Sequence, residues 1–75
     1  MKIAEIIDAR GLLCPLPVLK LRKRLKSQNS GDVLELLTDD PAAAVDVPHF
    51  CQNSGDEILA VTEEGDFDRY HIRKS

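Results

Sequence analysis

Pro15 and Pro17 stand one residue apart, and that pair restricts its stretch of chain to one kind of element. Neither residue can donate a backbone hydrogen bond, so a central strand is excluded. Deep in a helix each would remove a bond from the ladder. Only the first helical turn, whose N–H groups have no partner within the helix, takes both without loss. The pair therefore predicts a helix starting at Pro15, with Cys14 at its N-cap. From Pro15 to about Gln28, Val18, Leu21 and Leu25 share one face, while Lys20, Lys23 and Arg24 share the other. Leu16 and Leu19 fall outside the apolar stripe. Asn29-Ser30-Gly31-Asp32 ends the helix, with Gly31 as the expected left-handed cap.

The flanking segments alternate with period two. Ile3 to Ile7 reads as a first strand, closed by the loop Asp8-Ala9-Arg10-Gly11. Val33 to Thr38 is a second, with Leu34 and Leu36 on one face. Asp39-Asp40-Pro41 then signals a helix start, acidic N-cap followed by proline. Ala42 to Ser54 is helical in composition, but Pro48 predicts a kink near Asp46–Val47, with Val47 pushed out of the helical region. Beyond it, Val47, Phe50 or Cys51 turns inward, and Gly55 closes the helix. Glu57 to Glu64 is a third strand, Glu64-Gly65-Asp66 a hairpin turn, and Phe67 to Arg73 a fourth strand. There Tyr70 and Ile72 share one face, and Arg69, His71 and Arg73 the other. The order is β-α-β-α-β-β in 75 residues. Two helices cannot cover both faces of a four-stranded sheet in so short a chain. The expected fold is an α+β two-layer sandwich of residues 1–75, one domain, with a mixed sheet and both helices on one face.

Charge is divided along the chain. Residues 1–30 carry seven Lys/Arg against two acids, and residues 31–75 carry three against eleven. Such a dipole suits docking to proteins better than wrapping nucleic acid. The plain alternative is a solvated helix face. Three aromatics and no Trp argue against a stacking platform for single strands. No apolar run is long enough to span a membrane, and Lys2 and Glu5 interrupt any secretory start. Two cysteines are too few for a disulfide framework, so the expected compartment is the reducing cytoplasm.

The sharpest constellation is Asp8-Ala9-Arg10-Gly11-Leu12-Leu13-Cys14-Pro15-Leu16-Pro17. At a helix N-terminus the Cys14 thiol would meet the positive end of the dipole. That predicts a pKa below the usual ~8.5 and a poised nucleophile. On local chemistry alone a second reading stands equally: Cys14 as a small buried hydrophobe ahead of an ordinary helix start.

At these residues the chain resembles the TusA-like sulfur-carrier family, whose signature is Cys-Pro-x-Pro preceded by Asp and Gly. Asp8, Gly11, Cys14, Pro15 and Pro17 fall where that motif has them. The similarity continues in Asp39-Asp40-Pro41-Ala42, in Asp46-Val47-Pro48-His49-Phe50-Cys51 and in Arg69-Tyr70-His71-Ile72-Arg73-Lys74, covering essentially the whole chain. The resemblance implies the same sandwich and a sulfurtransferase activity. The motif cysteine, here Cys14, accepts sulfane sulfur from a donor protein such as a cysteine desulfurase or rhodanese. It holds the sulfur as a persulfide and passes it to an acceptor protein's cysteine, with no cofactor or metal. The sulfur then serves tRNA thiolation, sulfur oxidation or cofactor synthesis. Leu16 departs from the Glu that tRNA-thiolation members tend to carry at the variable place, which leaves the pathway open. With Leu19 it offers an apolar docking spot or, equally, a partly covered edge of the core, and Lys20, Lys23 and Arg24 offer a basic docking face.

Other candidates are weaker. Cys51 reads as core, with a resolving thiol as the lesser alternative. His49 and His71 are not spaced as metal ligands and are expected to be exposed. Asp39, Asp40 and Asp46 read as helix caps, and Asp8 either orients the loop that presents Cys14 or simply forms its turn. Two rival functions remain: a non-catalytic regulatory or adaptor domain, and nucleic-acid binding, which the acidic second half disfavours. A carrier that must keep its helix end free is expected to be a monomer.

Overall fold

The computed structural model describes residues 2–75. In chain order the elements are β1 (Ile3–Asp8), α1 (Leu16–Leu25), β2 (Val33–Thr38), α2 (Ala43–Ser54), β3 (Glu57–Glu63) and β4 (Asp68–Arg73). The sheet runs β1-β2-β4-β3, with β1 parallel to β2 and the other two pairings antiparallel. The order and the mixed sheet are those expected of the two-layer sandwich.

Register explains why the helices share a face. Leu36 pairs with Ile7 on one side and Tyr70 on the other, so three apolar side chains form a row across the sheet. Leu34 and Ile72 form the next row. All five are at most 2 % exposed. They are roofed by Leu21 and Leu25 of α1 and by Ala43, Val47 and Cys51 of α2, which belong to the same core cluster. The row beginning at Ile7 ends on Val61 of β3, which is 51 % exposed because it lies past the edge of the helical layer. On the opposite face Glu35 pairs with His71, whose Nε2 lies 2.9 Å from Oε1 of Glu35, and Arg69 approaches the same carboxylate. His71 is therefore half-buried, where exposure was expected.

Several boundaries differ from the sequence reading. Helix α1 starts one residue later than expected and has Pro15, not Cys14, at its N-cap; it stops at Leu25, and the stretch to Gln28 is turn. Gly31 is left-handed, as expected, but it stands in the approach to β2 and its N–H donates to the Lys74 carbonyl rather than closing α1. Pro48 does not displace Val47. Helix α2 runs through it, and Val47 is helical and fully buried. The bond that Pro48 forfeits would have gone to the carbonyl of Ala44. Both residues are solvent-exposed, so water can satisfy that oxygen without a break. Gly55 closes α2 in the left-handed region at φ 87°, as expected.

The rows give a testable contrast. Leu36→Ala should cost about 2–5 kcal/mol, a large fraction of what a chain this small has to lose. Val61→Ala, in the same row but beyond the roof, should cost no more than about 1 kcal/mol. Urea unfolding followed by circular dichroism reads both, and equal midpoints for the two variants would refute this account of the core.

Candidate functional site

The segment from Ala9 to Pro15 carries Cys14, and it is held mainly from outside itself. Ala9 N–H donates to the Leu37 carbonyl at 2.8 Å, which ties the start of the loop to the end of β2. Gly11, left-handed at φ 83°, donates its N–H to both carboxylate oxygens of Asp39 at 2.9 and 3.1 Å. Cys14 N–H donates to Asp40 Oδ2 at 2.6 Å. The Cys14 thiol donates to Asp46 Oδ2, also at 2.6 Å.

These three carboxylates correct the reading of them as caps. Helix α2 has no side-chain cap bond at Ala42, its N-cap. Asp40 keeps a share of that role, since its Oδ1 accepts the Ala42 N–H at 3.1 Å, but its other oxygen faces Cys14. Nothing in the local spacing could have shown this, because the partners lie 26 to 32 residues apart. The only signal was the recurrence of Asp-Asp-Pro and Asp-Val-Pro in one short stretch.

Asp8 does not reach the thiol. Its carboxylate accepts the Arg10 backbone N–H at 3.1 Å and two guanidinium N–H groups at 2.9 Å. Those bonds hold its pKa down to about 2. Arg10 in turn lies 5.0 Å over the Phe67 ring. Asp8 thus folds the loop rather than touching the chemistry.

Leu16 N–H donates to the Leu13 carbonyl, and the first α-helical bond runs from Leu19 N–H to the Pro15 carbonyl. Cys14 consequently sits in a turn just outside the helix; its peptide bond to Pro15 is cis. Pro17 lies in the first turn and is buried. Cys14 itself is exposed, against the reading as a buried hydrophobe. It opens on a groove of about 300 Å³ lined by Pro15, Val18, Asp46, His49, Phe50 and Asn53. A larger hollow, about 570 Å³, lies among Lys2, Ala4, Gly31, Asp32 and Val33, without a cysteine in its lining.

The thiol's acidity runs opposite to expectation. Its pKa is raised above the ordinary value, first by the hydrogen bond it donates to Asp46, then by desolvation and by the charges of Asp46 and Asp40. A hydrogen bond from the neutral thiol favours the protonated form, and two nearby carboxylates oppose a third negative charge. They outweigh the dipole of a ten-residue helix that begins beyond Cys14. Cys51 is buried in the core, where desolvation pushes its pKa to about 11.

The expected docking residues separate. Leu13, Leu16 and Leu19 are 70, 49 and 48 % exposed, an apolar rim beside Cys14. Lys20 is half-buried and donates to the Asp8 carbonyl at 3.0 Å, and Arg24 pairs with Glu5 at 3.2 Å. Both tie α1 to β1, while Lys23 stays exposed. Among the described residues no three His, Cys, Asp or Glu side chains converge as metal ligands, and no helix is long and apolar enough to cross a membrane.

Fold and site together define a small α+β sandwich with an accessible thiol on a proline-fixed turn. The family model described as Sulfurtransferase TusA matches residues 5–74, and the chain belongs to that family. It is 39 % identical over 69 residues to the sulfur carrier protein TusA of Allochromatium vinosum, covering 92 % of this chain and 91 % of that protein. It is 36 % identical over 74 residues to YrkF of Bacillus subtilis, where it spans 99 % of itself but 40 % of the longer protein. The crystal structure of a SirA-like protein from Desulfitobacterium hafniense matches with a TM-score of 0.74 at 25 % identity, over 92 % of this chain and 95 % of that one.

The geometry predicts that alkylation of Cys14 follows a titration above the usual ~8.5 of a free cysteine. Because the bond favours the neutral form, the rate at pH 7 should be low and should climb through the alkaline range. A rate against pH with its half-point at or below about 8.5 would contradict the Asp46 contact.

Proposed function

We propose that this chain is a sulfur carrier that holds sulfane sulfur as a persulfide on Cys14 and relays it to a cysteine of an acceptor protein. The observation that carries the reading is the exposed Cys14 Sγ on a turn fixed by Pro15 and Pro17, in a chain of the TusA family. A protein persulfide must present its terminal sulfur to a donor and then to an acceptor, each bearing its own cysteine. A thiol at the mouth of an open groove meets that need. A thiol in the core, such as Cys51, does not.

Sulfur arrives and leaves by the same exchange. Cys14 attacks the terminal sulfur of the donor's persulfide, and the donor cysteine departs as the leaving group. In delivery the acceptor cysteine attacks the terminal sulfur on Cys14, which departs in turn. Neither half needs a metal or cofactor. Residues 1–75 act as one carrier domain, with Asp8 and Gly11 shaping the loop. The donor is a desulfurase- or rhodanese-like protein. A thiol in repeated exchange fits a reducing cytoplasm. Leu16, with Leu13 and Leu19, forms the apolar part of the docking surface. Lys23 is its freest cation, with Lys20 and Arg24 placing charge behind it. The non-catalytic adaptor reading has no feature of the site in its favour, since an adaptor has no use for an exposed thiol.

Incubation with a cysteine desulfurase and cysteine should add one sulfur, about 32 Da, to the chain. Mass spectrometry should locate it on Cys14. Cys14→Ser should abolish the gain and Cys51→Ala should leave it intact; sulfur found mainly on Cys51 would refute the assignment. For docking, Lys23→Glu should slow transfer with an acidic-surfaced partner by about threefold or more at low salt and by less at high salt. Alkylation of Cys14 by a small neutral reagent should not change. Lys23 is the cleaner test than Lys20, whose replacement would also cut the link to Asp8.

A further inference from the structure

A carrier needs a sulfur free to attack, yet the Cys14 thiol is tied to Asp46 at 2.6 Å. Both ends of this contact are fixed. Asp46 is partly buried on α2, and its backbone N–H donates to Ala42 at 2.9 Å. Cys14 is held from its other side by Asp40, through its backbone. The titratable and charged groups that face the thiol or line its groove are Asp46 and His49 on α2 and Asp40 on the segment before it. From α1 the groove receives Val18, while Lys20 and Arg24 are engaged with β1. The thiol thus has a carboxylate partner and, among the described residues, no cation against it.

We propose that Asp46 is a positioning residue that distinguishes the empty carrier from the loaded one: it holds the free Cys14 thiol against α2 and releases it once sulfur is attached, a role that rests on the persulfide reading of Cys14. In loading, the Cys14 sulfur gives up its proton and attacks the terminal sulfur of a donor persulfide. A new S–S bond forms and the donor's S–S bond breaks. Its electron pair leaves on the donor cysteine sulfur, which takes up a proton. A thiol and a persulfide become a persulfide and a thiol, with no net oxidation. Sγ now carries sulfur where it carried hydrogen, so it has nothing to donate to Asp46. A persulfide is a stronger acid than a thiol, so the terminal sulfur is anionic near neutral pH, and a carboxylate at that range repels it. The side chain that accepts from the empty carrier therefore turns the loaded sulfur outward. In the empty state the same bond keeps the thiolate scarce and limits stray reaction with electrophiles and oxidants.

The test uses the full chain as wild type, Asp46→Asn, Asp46→Ala and Asp46→Glu, with folding checked by circular dichroism. Iodoacetamide alkylation is followed against pH before and after loading with sodium polysulfide, and mass spectrometry counts the sulfur on Cys14. Empty Asp46→Asn and Asp46→Ala should be alkylated at pH 7 about fivefold or more faster than wild type, with the profile displaced to lower pH. Asp46→Glu, which keeps a carboxylate, should stay nearer to wild type than either. Once loaded, wild type and Asp46→Asn should react within about twofold of each other, because the contact is gone. Superimposed profiles for empty wild type, Asp46→Asn and Asp46→Ala, with sulfur still loading on Cys14, would overturn the role of Asp46 and leave the carrier reading standing. Absence of sulfur on Cys14 in all four proteins would overturn both.

Discussion

Hydrogen bonds to one short acidic stretch organise everything around Cys14. Asp39 and Asp40 follow β2 directly, and Asp46 lies in the first turns of α2. Between them they accept the Gly11 N–H, the Cys14 N–H and the Cys14 thiol. Charge-assisted bonds of this kind are stronger and shorter than neutral ones. They are needed because the loop has little else to hold it: Leu13, Cys14 and Leu16 are all exposed and bury little apolar surface. The sheet supplies the rest of the constraint. Because β1 lies parallel and adjacent to β2, the loop after β1 and the acidic segment after β2 leave the sheet at the same end. Topology brings the two halves of the site together, and the carboxylates fix their relative position.

That division also settles what could be read from the sequence. The six elements were legible because each carries a local signal: Leu34 and Leu36 alternate, Leu21 and Leu25 recur at helical spacing, and Gly55 and Gly65 mark stops and turns. Cys14 was legible because two prolines frame it. What stayed hidden depends on contacts between distant segments. The sign of the thiol's shift followed from the helix dipole when only neighbours in sequence were considered. It reverses once Asp46, 32 residues away, is seen to accept its proton. Lys20 looked like a free surface charge on a helical wheel, but its length and flexibility let it reach back to the Asp8 carbonyl. Pro48 misled for a different reason. Its local rule holds on average, and it yields where tertiary packing of Val47 into the core keeps the helix on course.

The two faces of the sheet have different tasks. One is dry and carries the row Ile7–Leu36–Tyr70 beneath both helices. The other has no helix above it, and its centre is polar, with Glu35 shared between His71 and Arg69. These side chains are partly buried, and the pairing keeps the Glu35 carboxylate satisfied where water is scarcer. Polar groups at the centre suit a face that no helix covers; of the large apolar side chains that are exposed, Leu13, Leu16 and Leu19 lie beside Cys14, while Ile6, Val45 and Val61 lie elsewhere.

The register of the sheet has one more consequence. Irregularities fall between Ile3 and Glu5 in β1 and between Ile58 and Ala60 in β3, which are the two outer strands. A straight, regular border would offer its unpaired N–H and C=O groups as a template for a strand from another molecule. A border with a bulge is bent and out of step, and an incoming strand cannot form a continuous ladder along it. The carboxylate of Glu63 at the end of β3 adds a charge to that border, while Glu57 at its start is paired with Arg73. A protein only two layers thick is thereby hindered from stacking edge to edge into fibrils.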